Sequence, residues 1–319
     1  MSTAQELHVV LGARGGVGQA VVRLLAEQGK LVRAVSRGKA EALVGGEPVA
    51  ADLLQRDQAD AVCQGASVVY HCAGVPYNIW ATALPTMLEN TIAGASAAGA
   101  RLVYADNCYM YAPTAQPMTE DLPYAPVTRK GRLRQQLAEA LIAAHTQGQV
   151  RAVIGRATDF YGPGVVTSTI GERFFTALLA GKRVEWLGKL DQPHAMTVVD
   201  DFARVLITLG SREEALGQVW HVPTAEALTG RQYIALAADI AGVMARPMAV
   251  SAMLLRLVGL FNPLLRELGE MRYEFDAPYL IDGSKYLRAF GGTPTPHDEG
   301  IRRTVTWYRG RVPSPARVA

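Results

Sequence analysis

Gly12, Gly15 and Gly18 stand three apart in LHVVLGARGGVGQAVVRLLAEQG (7–29), between an apolar run and a helical pattern. A backbone that must fold around phosphate needs this arrangement. Gly12 permits a tight turn, Gly15 lets the backbone approach a pyrophosphate, and Gly18 allows the helix to pack closely on the strand. The helix then offers unpaired N–H groups and the positive end of its dipole to the phosphates. Arg14, Gly16 and Val17 belong to the same turn. The first candidate chemistry is therefore the binding of a dinucleotide, a carrier of two-electron redox chemistry.

The end of the next apolar run bears on which dinucleotide. A carboxylate there would hydrogen-bond the adenosine ribose 2′-OH and favour NAD. This chain has Ser36, Arg37 and Lys39 instead, with Arg14 in the glycine turn. Hydroxyl and cations suit a 2′-phosphate, so NADP(H) is the expected cofactor and NAD(H) the alternative; solvated surface charge is the plain structural reading of Arg37 and Lys39. Asp52, with Leu53 beside it, follows the third run and is placed to reach the adenine edge, although helix N-capping is as ordinary a job for it.

The elements that must position these residues are legible as alternation. Short Val-rich runs at 7–12, 31–36, 48–52, 67–72, 101–106 and 150–156 read as buried parallel strands. Helical patterns near 17–28, 57–64, 84–98 and 131–147 lie between them, which predicts an α/β doubly wound parallel sheet with right-handed crossovers. Beyond Arg156 the rhythm breaks, with helices expected near 168–180, 230–242 and 251–270. We expect a dinucleotide-binding Rossmann domain over 1–162, completed by about 196–222, and a smaller α/β substrate lobe from 163–195 and 223–319.

Composition narrows the function classes. At 319 residues with 49% hydrophobic and 19% charged residues, the chain can build a large core and is not a disordered chain. The net charge of +3 is scattered, which is no footprint for nucleic acid. Three cysteines without C-x-x-C spacing suit a reducing cytoplasm, and they form no ligand cluster with the six histidines that would suggest a metal site. The start MSTAQELHVVLG lacks the pattern of a signal peptide, and the apolar stretch 253–261 is too short and too charged to span a bilayer, so no membrane partner is expected.

Several segments in order then resemble one family, the extended short-chain dehydrogenase/reductases of the NAD-dependent epimerase/dehydratase group. They are GARGGVG, HCAG (71–74), Asn90, VYADNCYMYAP (103–113), GRATDFYGPG (155–164), TVVDDFARVL (197–206) and the tail 282–309. The resemblance implies cofactor contacts from Cys72, Ala73 and Gly74, substrate contacts from Tyr77 and His194, and a homodimer built on the helices after the fourth and fifth strands; Asp159 faces either the nicotinamide or the substrate, or is simply a turn residue before Gly162-Pro163.

The same resemblance implies a Tyr-x-x-x-Lys acid–base pair, and here the chain departs: none of its 12 tyrosines has Lys four residues later. Residue counting puts Thr128 and Arg132 in those places, and Thr has no usable pKa for the work. The family's Ser/Thr position falls on Asn107, which can donate to a carbonyl oxygen. Tyr109, two residues on, is the expected proton donor, with Lys130 or Arg132 supplying positive charge and an aromatic pocket wall as its bland alternative. His194 replaces the Arg that the family uses for a substrate diphosphate, and Phe160, Phe174, Phe175, Trp186 and Met196 suggest an apolar lining. These features predict an NADP(H)-dependent oxidoreductase acting on a carbonyl or hydroxyl group of a small uncharged or apolar molecule. A sugar-nucleotide epimerase or dehydratase and a non-catalytic NADP-binding regulator are the alternatives.

Overall fold

The computed structural model describes residues 6–38, 45–250, 267 and 269–311. Six strands fall where the apolar runs predict them: β1 (Leu7–Leu11), β2 (Leu31–Ser36), β3 (Glu47–Ala50), β4 (Val68–His71), β5 (Arg101–Asp106) and β6 (Arg151–Arg156). With the late strand Val219–His221 they form one parallel sheet in the order Val219–His221, β6, β5, β4, β1, β2, β3. The order reverses beside β1, and ligands of open α/β sheets bind in the crevice that such a reversal opens at the carboxyl ends of the strands.

Both faces of the sheet are covered, which is why its strands read as continuous apolar runs. On one face, Val9, Leu11, Val69, Leu102, Tyr104 and Ile154 pack under α2 (Arg56–Cys63), α3 (Trp80–Ala97) and α4 (Arg129–Thr146). The alternate residues Val10, Val68, Tyr70, Val103 and Val153 meet α1 (Gly16–Glu27) and α6 (Val199–Ser211) on the other. The period-two swap of side chains along each strand thus builds two cores from one set of residues. Helix α3 starts earlier than the expected 84–98 and holds Pro85 within it.

A smaller lobe sits beyond the sheet. It comprises α5 (Glu172–Leu179), α7 (Gly230–Ala241), the helix His297–Arg311, and the parallel pair Val184–Leu187 with Pro247–Val250. Gly171 opens α5, so that helix is shorter than the expected 168–180. Thr229 and Gln232 form a reciprocal capping box at the start of α7, and Gly242 closes it at φ +63°. Phe174, Phe175, Trp186 and Met196 are buried in this lobe's own core with Tyr233 and Ile234, while Phe160 packs against the sheet's second core beside Phe202. These residues hold elements together, which corrects the expectation that they form an apolar substrate lining. Most of the helix expected at 251–270 lies outside the described residues. No helix among the described residues is long and apolar enough to cross a membrane.

Where β5 and β6 end, Asp106 and Arg156 form an ion pair with both side chains 0% exposed. Arg156 Nε and Nη2 donate to Asp106 Oδ2 at 3.2 and 3.0 Å, Nη1 donates to the Tyr111 hydroxyl at 2.7 Å, and Nη2 also donates to the Tyr124 hydroxyl at 3.0 Å. The Tyr111 hydroxyl lies 2.8 Å from His221 Nε2 on the last strand. Burial, and then the Arg156 charge, push His221 down to about 3, so its neutral ring accepts that proton. Removing one partner of such a pair typically costs about 3–5 kcal/mol, because the other charge is left buried alone. We expect Arg156→Met to lose stability of that order in denaturant unfolding and Asp106→Asn/Arg156→Met to regain part of it. A loss under about 1 kcal/mol in the single variant would refute the assigned role.

Candidate active site

The turn between β1 and α1 is built as its glycines require. Gly12 adopts φ +81°, and a Cβ there would meet Ala73 Cα at 2.5 Å. A Cβ on Gly18 would lie 2.2 Å from the Gly12 carbonyl oxygen, so helix and turn touch backbone to backbone. Gly15 is the N-cap of α1 and supplies no side-chain acceptor, which leaves the first amides of the helix for a ligand. Gly16 abuts Val165, and Val17 is buried beneath the turn, so these two offer backbone.

Around the turn opens a cleft of ≈ 290 Å³. Gly12, Arg14, Gly15, Ser36, Arg37, Asp52, Leu53, Cys72, Ala73 and Gly74 all line it, bringing together the carboxyl ends of β1, β2 and β4 and the segment after β3. The donor set suits a dinucleotide: glycine backbone and a helix N-terminus for the pyrophosphate, then hydroxyl and guanidinium at the end of β2 for the far ribose. Asp52 does not cap α2, whose N-cap is Gln55; its Oδ1 accepts from the Leu54 N–H at 3.0 Å while the residue faces the cleft. Lys39 lies outside the described residues. Asp159, expected at the nicotinamide or the substrate, does not line this cleft and pairs with His194 instead.

The second half of the site begins where β5 ends. The Asn107 side-chain oxygen accepts from the Tyr109 N–H at 3.2 Å, an Asx-type turn that aims the Tyr109 ring at α3. There Tyr109 stacks on Trp80 with centroids 6.3 Å apart, and its hydroxyl meets that of Tyr77 at 3.1 Å. Burial first, then the charges of Tyr77, Glu274 and Asp159, push the Tyr109 phenol well above its ordinary value. A proton donor needs the opposite shift.

Helix α4 supplies the cations, one of the two expected among them. Thr128 is its N-cap, with Oγ1 accepting from the Gly131 N–H at 2.9 Å, and Gly131 packs so closely that a Cβ would lie 2.3 Å from the Tyr109 carbonyl oxygen. That cap sets the phase of the helix. Lys130 and Arg134, four apart, turn inward with the buried Leu137 and Leu141, whereas Arg132 points outward and is exposed. Of the two cations expected here, Arg132 is therefore corrected to an exposed position, while Lys130 turns inward and Arg134 joins it. The Arg134 guanidinium lies 4.5 Å from the Trp80 ring centroid and donates to the Tyr104 hydroxyl at 3.1 Å and Asp106 Oδ1 at 3.4 Å. Lys130 Nζ sits 5.0 Å from the Tyr77 centroid and donates to Glu270 Oε2 at 2.7 Å and to the Glu267 carboxylate.

The sequence also singled out His194 and Asp159, which the structure brings together, but not Glu274 beside them. His194 is stacked between Phe275 and Tyr279, at 4.3 and 4.9 Å between centroids, and its Nε2 lies 3.0 Å from Asp159 Oδ2. Glu274 is buried next to it; Tyr273 donates to Glu274 Oε1 at 3.3 Å. Burial, and then the Asp159 charge, raise the Glu274 carboxyl well above its usual range, so it favours the protonated form. Nothing in MRYEFDAPYL (271–280) marks Glu274 as different from a surface acid, since only tertiary packing buries it.

Fold and site together define a dinucleotide-dependent α/β enzyme with its reaction centre at the carboxyl edge of the sheet. The chain belongs to the NAD dependent epimerase/dehydratase family, whose model matches residues 8–222, and it is an NAD(P)-dependent enzyme of oxidoreductase type. A curated relative, the dTDP-6-deoxy-L-talose 4-dehydrogenase (NAD(P)(+)) of Kitasatospora kifunensis, is 26% identical over 260 residues, 76% of this chain and 81% of that protein. The UDP-glucuronic acid 4-epimerase of Bacillus cereus, solved with UDP-glucuronic acid and NAD, shares its fold at TM-score 0.78 and 17% identity, covering 96% of this chain and 99% of its own. DesIV, the dTDP-glucose 4,6-dehydratase of Streptomyces venezuelae solved with NAD and TYD, does so at TM-score 0.77 and 20% identity over 95% and 97%.

The geometry of Tyr109 generates a prediction. Its hydroxyl is tied to Tyr77 and its proton is more firmly held than usual, which fits the aromatic wall named as its alternative role. Tyr109→Phe should lower turnover by less than the about 10²-fold that general acid–base assistance is worth at minimum. A loss of 10²–10⁴-fold at unchanged cofactor affinity would restore Tyr109 as the acid.

Proposed function

We propose that this chain oxidises or reduces a hydroxyl or carbonyl carbon of a nucleotide-linked sugar, with NADP(H) preferred over NAD(H). The observation that carries the proposal is the character of the crevice beside the dinucleotide cradle. There the hydroxyls of Tyr77 and Tyr109 meet, Asn107 holds the Tyr109 amide, and the Asp159 carboxyl is close enough to act electrostatically on both phenols, a set of polar groups that matches a polyhydroxylated ring. Phe174, Phe175, Trp186 and Met196 are taken up in the lobe core and Phe160 packs on the sheet's second core, which removes the main reason for the expected uncharged or apolar substrate and favours the sugar nucleotide that stood as its alternative. The resemblance to a dTDP-sugar 4-dehydrogenase and to structures holding UDP- and dTDP-sugar enzymes points the same way.

The nicotinamide, when bound, supplies the hydride exchange, and the chain's residues do the rest. The glycine turn and α1 hold the pyrophosphate; Trp80, Tyr77 and Tyr109 form an aromatic wall that limits where the sugar can lie. Asn107 keeps a side-chain N–H pair for the reacting oxygen, its own oxygen being engaged by the Tyr109 amide. His194, in place of a diphosphate-binding arginine, leaves the nucleotide's diphosphate to other donors, so affinity for the nucleotide part should be modest.

Preference for NADP(H) follows from charge at the end of β2, where Ser36 and Arg37 line the cleft. The expected margin is at least tenfold in affinity, about 1.4 kcal/mol, and Arg37→Asp should remove most of it; equal affinities for the two cofactors by titration would sink the preference. For the substrate, purified protein is offered NADPH with dTDP- or UDP-linked 4-keto sugars and, separately, with apolar ketones, and nucleotide consumption is followed. Turnover on the nucleotide sugars is the expected result. Turnover confined to the apolar ketones would overturn the proposal.

A further inference from the structure

The Tyr-x-x-x-Lys acid is missing, and Tyr109 is badly placed to replace it, yet reduction of a carbonyl needs a proton for the oxygen. The hydrogen bonds around His194 show where one is held. Its Nδ1 lies 3.2 Å from the backbone carbonyl oxygen of Glu274, and its Nε2 lies 3.0 Å from Asp159 Oδ2. A carbonyl oxygen can only accept, so Nδ1 must carry a proton. Nε2 then faces a carboxylate oxygen that, when ionised, can also only accept. The contact is a hydrogen bond only if a further proton lies between them, on Nε2 as imidazolium–carboxylate or on Asp159 as carboxyl–imidazole. In either form the pair holds one proton more than a neutral histidine beside a carboxylate.

The surroundings preserve this state. Phe275 and Tyr279 clamp the imidazole from both sides, and Trp186 meets it edge-on at 6.2 Å, so the ring cannot turn to another acceptor. Among the described residues, Asp159 makes its ion pair with His194 and with no lysine or arginine. The other titratable groups near Asp159 are Glu274, Tyr273 and Tyr279 on the 273–279 segment, Cys108 and Tyr109 after β5, and Tyr77 before α3. Arg134 acts on Tyr77 and Tyr109 from α4 but is engaged by Asp106, the Tyr104 hydroxyl and the Trp80 ring, so among the described residues the ion-pair partner of Asp159 is His194. The His194 side chain is 2% exposed and that of Asp159 15%, which makes Asp159 the more accessible partner.

We infer that Asp159 and His194 share a transferable proton and together replace the missing tyrosine, Asp159 as the proton donor to the substrate oxygen and His194 as the positioning residue that keeps the proton in place. The inference rests on the proposed redox reaction. In the reducing direction the substrate carbon gains a hydride from the reduced nicotinamide, and its oxygen gains one proton from the pair. The pair is left as carboxylate and neutral imidazole and regains a proton from solvent. In the oxidising direction that proton passes from the substrate hydroxyl to the pair. Asp159→Asn keeps the size of the side chain and a partner for Nε2 but has no acidic proton to give.

The test reads the proton first and turnover second. In the full-length protein with ¹⁵N-labelled histidine, the shared proton should give a downfield resonance, protected from exchange and coupled to the His194 ring. It should be lost in Asp159→Asn and, should that variant fold poorly, in His194→Gln. A wild-type ring that carries a proton on Nδ1 alone, with no such resonance near neutral pH, would overturn the inference. With a turned-over substrate, Asp159→Asn should lower kcat by about 10²–10⁴-fold while KM and cofactor affinity move little, and should abolish the limb of the pH profile that reports the acid. Wild-type kcat in Asp159→Asn would overturn the donor role. Because the resonance is read without substrate, inactivity on every nucleotide sugar would count against the proposed function and leave the proton assignment standing.

Discussion

The buried Asp106–Arg156 pair is the constraint from which the site is hung. Each residue is the last of its strand, so the pair decides where β5 and β6 leave the sheet. Asn107 and Tyr109 follow Asp106 by one and three positions, and Asp159 follows Arg156 by three. Two charges taken wholly out of water are tolerable only when their remaining hydrogen-bonding capacity is met. Here the guanidinium donates to Asp106, Tyr111 and Tyr124, and Arg134 brings a second cation to the other carboxylate oxygen. Through Tyr111 and His221 the same network reaches the edge strand Val219–His221. The loops that carry the chemistry thus start from fixed points on three strands, as a site must when its groups have to be held to fractions of an ångström.

The two halves of the site were legible in the sequence to different degrees, for a physical reason. The cofactor cleft is made by backbone, and backbone that bends sharply or lies within van der Waals reach of other backbone demands glycine. Gly12 and Gly18 therefore wrote their positions into the chain, and the residues expected around them converge on one cleft. The six parallel strands were legible for a related reason, since burial on both faces leaves little but Val, Leu, Ile and Ala to choose from. The reaction half is made by side chains from four separated segments. Counting along the chain placed Thr128 and Arg132 in the catalytic positions, but the phase of α4 is set by its cap, and capping by Thr128 turned Lys130 and Arg134 inward instead. The T-R-K-G-R-L-R run offers four cations, and the inward pair is the one on the helix face that also buries Leu137 and Leu141. Glu274 was beyond reach, because its meaning lies in its burial and in its nearness to Asp159, and neither is local.

Position in this site also differs from role. Lys130 and Arg134 occupy the helix face where positive charge could lower the pKa of a neighbouring phenol, but both are already engaged. Lys130 is neutralised by Glu267 and Glu270, and Arg134 divides itself between Asp106, the Tyr104 hydroxyl and the Trp80 ring. Neither cation hydrogen-bonds the Tyr109 hydroxyl, which meets another phenol instead. Burial then dominates, and it raises every weak acid that must become negative to give up its proton. Tyr77 and Cys108 are pushed up together with Tyr109. A buried hydroxyl or thiol in this crevice is a poor source of protons near neutral pH. A carboxyl–imidazole pair also leaves a negative charge when it gives up its proton, but that charge rests on a carboxylate, a far weaker base than a phenolate or a thiolate, on a side chain that keeps some exposure. The loss of the family's tyrosine and the replacement of an arginine by His194 are then two sides of one change: the site has moved its proton from the α4 wall to the wall formed by Asp159 and His194.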